Sequence, residues 1–514
     1  MKNKLLTIFV LLFYLLLTLP SVFSEKHLLF NLEPYPDGLF YSLSAKNFIE
    51  NGRLALEYNG VRANISQPPL YSLILSLGYL IWNNPRSYYL INMVLMISPA
   101  LIILKIIIIH SKNTFTKICS IIFFSLHAYL YWLPSVPMTE NLAFFLIAVC
   151  LYFITKKNYS KKDFLLTLIF GLLLTLSRLA IIPMSITLIT IGFYRILKNS
   201  DDNLKRKYFL LAIIMAIGIN VLFSFFLEKS LLDYFIYFFK QTFYPNDVIK
   251  FYDISNFNNN IISYAKTLLG YKSSFLWLTN PLTSVWITFA IILNIIDGNK
   301  KEILLKVMPL MTVFISQFFL LLSFYLTDSR YILYSIILLT LIYSISVPKK
   351  PSVLYKIFVV AFIFFHFLNQ IPLFKNIISE NIFHKSVAWQ YESVKVIDKF
   401  FKNNDYSFLI TSLPPHFIDA YSNNKIILLP MSHSQEFLQK KEYPWGNEID
   451  YENLSDYYAN LLVAKKEVYI SNAYITHQQS VINDYEIFKK EFDLELFSSG
   501  CLEACNIYKL SLKE

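Results

Sequence analysis

The chain has 514 residues, of which 55% are hydrophobic, 17% aromatic and only 16% charged. Such a composition is too apolar for a soluble globular protein and fits one that crosses a membrane repeatedly. The net charge of +11 does not point to nucleic acid, because the lysines cluster in short loops between apolar runs, as they do in the cytoplasmic loops of membrane proteins.

The N-terminus, MKNKLLTIFVLLFYLLLTLPSVFSEK, has a basic start and an apolar stretch from Leu5 to Phe23. At about 19 residues the stretch is long enough to span, so it reads as an uncleaved first helix rather than a signal peptide. Lys2 and Lys4 place its start in the cytoplasm, which puts Asp37, in EPYPDGLFYSLSAKNFIENG, outside. Further apolar runs follow near 67–82, 87–109, 115–133, 140–155, 163–177, 179–197, 208–227, 284–297, 303–326, 330–347 and 353–372. After residue 375 charges, Asn and Pro return, and residues 376–514 read as a soluble domain with strand-like runs YSFLIT, KIILLP and KEVYIS. No internal repeat is visible.

If every run crossed, the later basic loops HSKNTFTK, KKNYSKKD, KNSDDNLKRK, DGNKKEILLK and VPKKPSVLYK would fall outside, against the positive-inside rule. Removing one early span returns all of them to the cytoplasm. The run QPPLYSLILSLGYLIW at 67–82 is the candidate, being short and opening on Pro68-Pro69; it reads as interfacial or re-entrant. The expectation is therefore about eleven spans, with the C-terminal domain extracytoplasmic.

With that parity the charged residues left at membrane ends gather on the outer face. Asp37 follows the first helix, Glu140 opens a helix in PSVPMTENLAFF, Arg178 lies in the connection LLLTLSRLAIIPM, and Asp328 and Arg330 sit in YLTDSRYILY. The long outer segment near 228–283 adds Tyr234, Tyr237, Phe238, Tyr244, Tyr252 and Trp277. Each has an ordinary explanation: Asp37 a solvated loop residue, Glu140 an acid at a helix dipole, Arg178 a snorkelling side chain, the aromatics an interfacial belt. Their common side is the stronger signal, because charges at a membrane boundary are costly unless hydrated, paired or used. His110, His127 and His366 show no metal spacing, and no phosphate-cradling glycine loop supports a nucleotide-driven pump. Cys119 and Cys150 read as small buried residues. Cys501 and Cys505, in GCLEACNIY, are expected to pair if that end faces an oxidising compartment, the alternative being two buried thiols.

In this order the residues resemble those of the integral-membrane glycosyltransferases of the C superfamily (GT-C), in particular bacterial members related to protein O-mannosyltransferases and to the lipid A aminoarabinose transferase. The resemblance covers about residues 1–375. It rests on an acid after the first helix (Asp37), then Tyr41, then QPPLYSLILSLGYLIW; on Glu140 in MTENLAFFL; on Gly171 and Arg178 in GLLLTLSRLAIIP; and on Arg330 and Tyr331 in DSRYILYSIILL. Many relatives carry Asp-Glu where this chain has Asp37-Gly38, leaving one carboxylate fewer, and several have Asp at the position of Glu140. The resemblance implies a mostly α, polytopic catalytic domain over 1–375 and an extracytoplasmic α/β domain over 376–514. It further implies an inner-membrane enzyme that moves a sugar from a polyprenyl-phosphate donor to an envelope glycan, lipid or protein acceptor. Such a reaction needs a base for the acceptor hydroxyl and cations for the leaving phosphate. Asp37 and Glu140 are the catalytic candidates; Arg178, Arg330, Tyr331, Tyr41 and Lys46 are the substrate-binding candidates. No metal or cofactor and no nucleic acid is expected. The competing readings are a transporter or flippase of lipid-linked sugars, which would place its charges at the midplane of broken helices and is disfavoured by only 11 glycines, and a non-catalytic receptor or assembly protein.

Overall fold

A computed structural model describes residues 2–23, 37–58, 61–64, 68–84, 86–198, 202–224, 254–268, 300–322, 329–347, 351–381, 397, 399, 407–411, 427–431, 449–450, 453–472, 479–499 and 506–513. The chain forms two compact units, Met1–Ser24 with Gln67–His384 and Glu25–Ser66 with Lys385–Glu514. The run at 284–297, Asp328, the aromatics singled out between 228 and 283, and the Cys501–Cys505 pair lie outside the described residues.

In the first unit the apolar runs become helices. They are α1 Lys2–Phe23, α3 Leu70–Ile81, α4 Arg86–His110, α5 Thr114–Ser125, α6 Tyr129–Trp132, α7 Thr139–Thr155, α8 Lys161–Thr175, α9 Ile182–Leu197, α10 Asp202–Ser224, α11 Phe257–Leu268, α12 Lys300–Ser316, α13 Phe318–Leu321, α14 Ser335–Ser346 and α15 Val353–Asn381. α7 packs between α4 and α8, α8 against α9, and α14 against α4, α5 and α12. Every residue of α14 is buried, and a helix apolar on all sides belongs at such a centre. Its Thr340 hydroxyl is satisfied locally by donating to the Ile336 carbonyl at 2.7 Å. Among the described residues, Arg86–His110 and Val353–Ser379 are long and apolar enough to cross a membrane. A third crossing is possible through the broken pair Thr114–Ser125 and Tyr129–Ser135, bent by 51°. The twelve residues of α3 rise about 18 Å, well short of a bilayer core. α15 runs past the predicted end of its apolar stretch, to Asn381. Cys119 and Cys150 are buried free thiols.

The second unit holds α2 Asp37–Asn51, the antiparallel pair β1 Ala55–Tyr58 and β2 Val61–Asn64, and a five-stranded sheet. The sheet elements are β3 Phe408–Thr411, β4 Ile427–Pro430, α16 Leu454–Val463, β5 Val468–Ser471, α17 Gln479–Glu491, β6 Phe492–Ser498 and β7 Ile507–Leu512. The order is β4-β3-β5-β7-β6, parallel through β5 and antiparallel from there to β6. YSFLIT, KIILLP and KEVYIS thus supply the parallel half. β5 is buried along its whole length, as parallel strands with both faces covered are. Ile410, Leu429, Val468 and Ile470 form the core with Tyr458 and Phe488 from α16 and α17, whose rings lie 5.6 Å apart. The Tyr458 hydroxyl donates to the carbonyl of Pro430 at the end of β4.

Candidate functional site

The chain approaches α7 through a 3₁₀ turn at Leu133–Ser135 and an extended Met138 (φ −126°, ψ 151°). This leaves carbonyls pointing inward, and Asn141 gathers them: its Nδ2 donates to Leu133, Val136 and Met138 at 3.1, 2.9 and 3.2 Å. Glu140 is held in the first turn of α7, where the helix dipole favours a carboxylate. On the neighbouring pair, α8 closes through Leu176 N–H to Leu173 O (3.1 Å) and Ser177 N–H to Leu174 O (3.2 Å). The chain then reverses at Arg178 and enters α9 through a short 3₁₀ turn, Leu179–Ile181. Gly171 makes that reversal tight. A Cβ there would lie 2.5 Å from Ile189 Cγ1 of α9, so no larger residue fits without displacing the Ile189 side chain or the helix that carries it. Tyr331 comes from a third element, the 3₁₀ turn Ser329–Ile332 ahead of α14.

These segments meet. The Arg178 guanidinium is in direct ion-pair contact with Glu140 Oε1, while Thr139 Oγ1 donates to Glu140 Oε2 at 3.3 Å. On its other side Arg178 lies over the Tyr331 ring, 4.8 Å from the centroid. The side chains of Glu140 and Arg178 are 1% and 12% exposed. At that depth desolvation of the two charges largely cancels their attraction, so the pair is poor stabilisation in itself and expensive to break. Tyr334, one turn beyond Tyr331, stands within electrostatic reach of Arg178 and packs against Phe144, their centroids 6.3 Å apart. The sequence reading did not single out Tyr334; its three-residue spacing from Tyr331 was the available signal.

Of the residues proposed from sequence, Glu140, Arg178 and Tyr331 are brought together. Arg330 lies on the same 3₁₀ turn as Tyr331. Asp37, Tyr41 and Lys46 belong to the second unit, on α2, with Asp37 its first residue. Tyr41 is buried there, and Lys46 lies 4.0 Å from Glu50 one turn along. Among the described residues no group of three or more His, Cys, Asp and Glu side chains gathers to hold a metal.

The opposite ends of these helices carry the basic loops. His110 ends α4 within electrostatic reach of Lys306 and of Arg195 in the last turn of α9. Arg195 donates to the carbonyls of Ile154 and Lys156 at the end of α7, and the Ser111 hydroxyl meets that of Ser344 at 2.5 Å. Among the described residues, the helix ends that flank these basic loops thus meet at one end, and the Glu140–Arg178 pair sits at the opposite ends of α7 and α8.

The combination of a mainly helical unit and a small α/β unit is shared with solved structures. The crystal structure of ArnT from Cupriavidus metallidurans bound to undecaprenyl phosphate superimposes with a TM-score of 0.63 at 9% identity, covering 97% of each chain. The apo form of the same enzyme gives 0.57 at 9% identity, over 92% of this chain and 93% of that one. The Archaeoglobus fulgidus oligosaccharyltransferase, in complex with Zn and sulfate, gives 0.50 at 12% identity, over 98% of this chain and 73% of that one. No protein-family profile and no curated protein sequence matches the chain. At such identities the likeness defines the fold.

Proposed function

We propose that the protein is a glycosyltransferase that moves a sugar from a polyprenyl-phosphate donor to an acceptor on the outer side of the cell membrane. The observation that carries this reading is the GT-C fold over nearly the whole chain, shared with an enzyme crystallised with undecaprenyl phosphate. The ion pair supports it: Arg178, nearly buried and flanked by Tyr331, is a planar cation suited to a phosphate oxygen in a place where charge is costly. In the reaction the acceptor hydroxyl oxygen attacks the anomeric carbon as the bond to the lipid phosphate breaks. The phosphate leaves with the electron pair, with Arg178 and Arg330 as the proposed cations for it, and the hydroxyl proton passes to a base, the role that the sequence resemblance gives to Asp37. Glu140 orients Arg178 and tempers its charge. The acceptor is an envelope glycan, lipid or protein.

The test is a gene deletion followed by mass spectrometry of envelope glycans and lipid-linked sugars, with complementation by wild type and by Asp37→Asn. Deletion should remove one sugar and accumulate its donor. Asp37→Asn should insert normally yet fail to restore transfer, since loss of a general base costs about 10²–10⁴-fold. Full complementation by Asp37→Asn would remove it as the base. An unchanged glycan profile with lipid-linked sugars on the wrong side of the membrane would favour a flippase instead.

A further inference from the structure

The segment Pro68-Pro69-Leu70-Tyr71 is hydrogen-bonded directly to the turn that precedes Arg178 and, through Asn92, to the turn that precedes Glu140. At its start, the Leu70 N–H donates to the Leu176 carbonyl at 3.3 Å, two residues before Arg178. One residue on, the Tyr71 hydroxyl donates to Asn92 Oδ1 of α4 at 2.6 Å, and Asn92 Nδ2 donates to the Val136 carbonyl at 3.1 Å. Val136 is the carbonyl that Asn141 also holds, in the turn that delivers Glu140. Tyr71, Asn92 and Asn141 are each completely buried. The two prolines limit the backbone freedom of the segment just where α3 starts. Glu140, in the first turn of α7, and Arg178, in the connection between α8 and α9, are 38 residues apart in sequence.

We propose that this segment is a strap that sets the register between the start of α7 at Glu140 and the α8–α9 connection at Arg178, with Tyr71 and Asn92 as positioning residues for the transfer step. Tyr71 contributes one hydroxyl and Asn92 relays it, so the strap acts through the Val136 turn on Glu140 while Leu70 anchors it to the Arg178 turn. The catalytic half of this inference rests on the proposed transferase reading; the mechanical half does not.

A double-mutant cycle between Tyr71→Phe and Glu140→Gln on the full-length protein in detergent tests both halves. Thermal unfolding is read first. A strap predicts that the two melting shifts are clearly non-additive; additive shifts overturn it. Kinetics are read next. Tyr71→Phe should lower kcat about two- to tenfold, the worth of one hydrogen bond, with KM for donor unchanged, and should cost nothing further when Glu140 is already Gln. Asn92→Leu, which removes both links, should exceed Tyr71→Phe. An equal kcat loss in the two backgrounds, or a loss confined to KM, overturns the positioning role. Non-additive melting across the cycle, with no sugar transfer by the wild-type protein, would keep the strap and sink the transferase reading.

Discussion

The two ends of the α7–α8–α9 hairpins both carry an arginine and a carboxylate, and they use them differently. At the basic end, Asp163 closes a capping box with Ser160 and also takes Lys156 at 2.5 Å, while Arg195 donates to the last carbonyls of α7 and lies over the Tyr159 ring. Each charge there answers a need that any helix end has. At the opposite end Arg178 meets a single buried carboxylate and an aromatic face. Packing does not require a cation in that place, and a nonpolar pair of similar volume would serve stability at least as well. Charge that the fold can explain is structural; charge held against its desolvation cost is the ground on which the site is proposed.

That contrast makes the two arginines unequal. Arg178→Ala should lower donor efficiency about tenfold to a hundredfold, the worth of a charge-assisted contact. It should also destabilise the protein by about 3–5 kcal/mol, because Glu140 is left buried alone. The double variant Glu140→Gln/Arg178→Gln should recover most of the stability and none of the transfer; recovery of both in unfolding and kinetic assays would make Arg178 a purely structural residue. Arg195→Ala should cost about 1.5–3 kcal/mol through the lost helix-end hydrogen bonds, with donor kinetics unchanged. A fall in its kcat would erase the distinction between the ends. Ser160→Ala should do least, about 1 kcal/mol for a lost N-cap, visible as a small melting shift with wild-type turnover.

How much of this was readable beforehand depended on range. Helices in the first unit were legible because long apolar stretches admit little else, and α14 was recognisable from SIILLTLIYSIS. Glu140 and Arg178 were legible as charges at the ends of such stretches, but their pairing was not, since no periodicity links residues on separate loops. The strap was equally hidden: Tyr71 and Asn92 look like ordinary polar residues in apolar runs. β3, β4 and β5 were visible as compact apolar runs, whereas β6, FDLELFS, alternates polar and apolar and was passed over. The β1–β2 pair was missed although Asn59-Gly60 separates its strands, a strong local hairpin signal. That residues 25–66 group with 385–514 had no signature in the sequence, because it joins segments more than 300 residues apart.

The strand order of the sheet also sets a timetable for synthesis. β6 and β7 pair with a neighbour close in sequence, so they zip as soon as both exist. β3 and β4 come much earlier, and β5, which pairs with β3 on one side and β7 on the other, arrives only after α16. A chain made N-terminus first therefore carries its most apolar strands as unfinished edges until β7 emerges, the condition in which strands recruit foreign partners. Truncation just before Ile507 would leave β5 without its antiparallel neighbour, and proteolysis or aggregation, rather than a partly folded domain, is its natural fate.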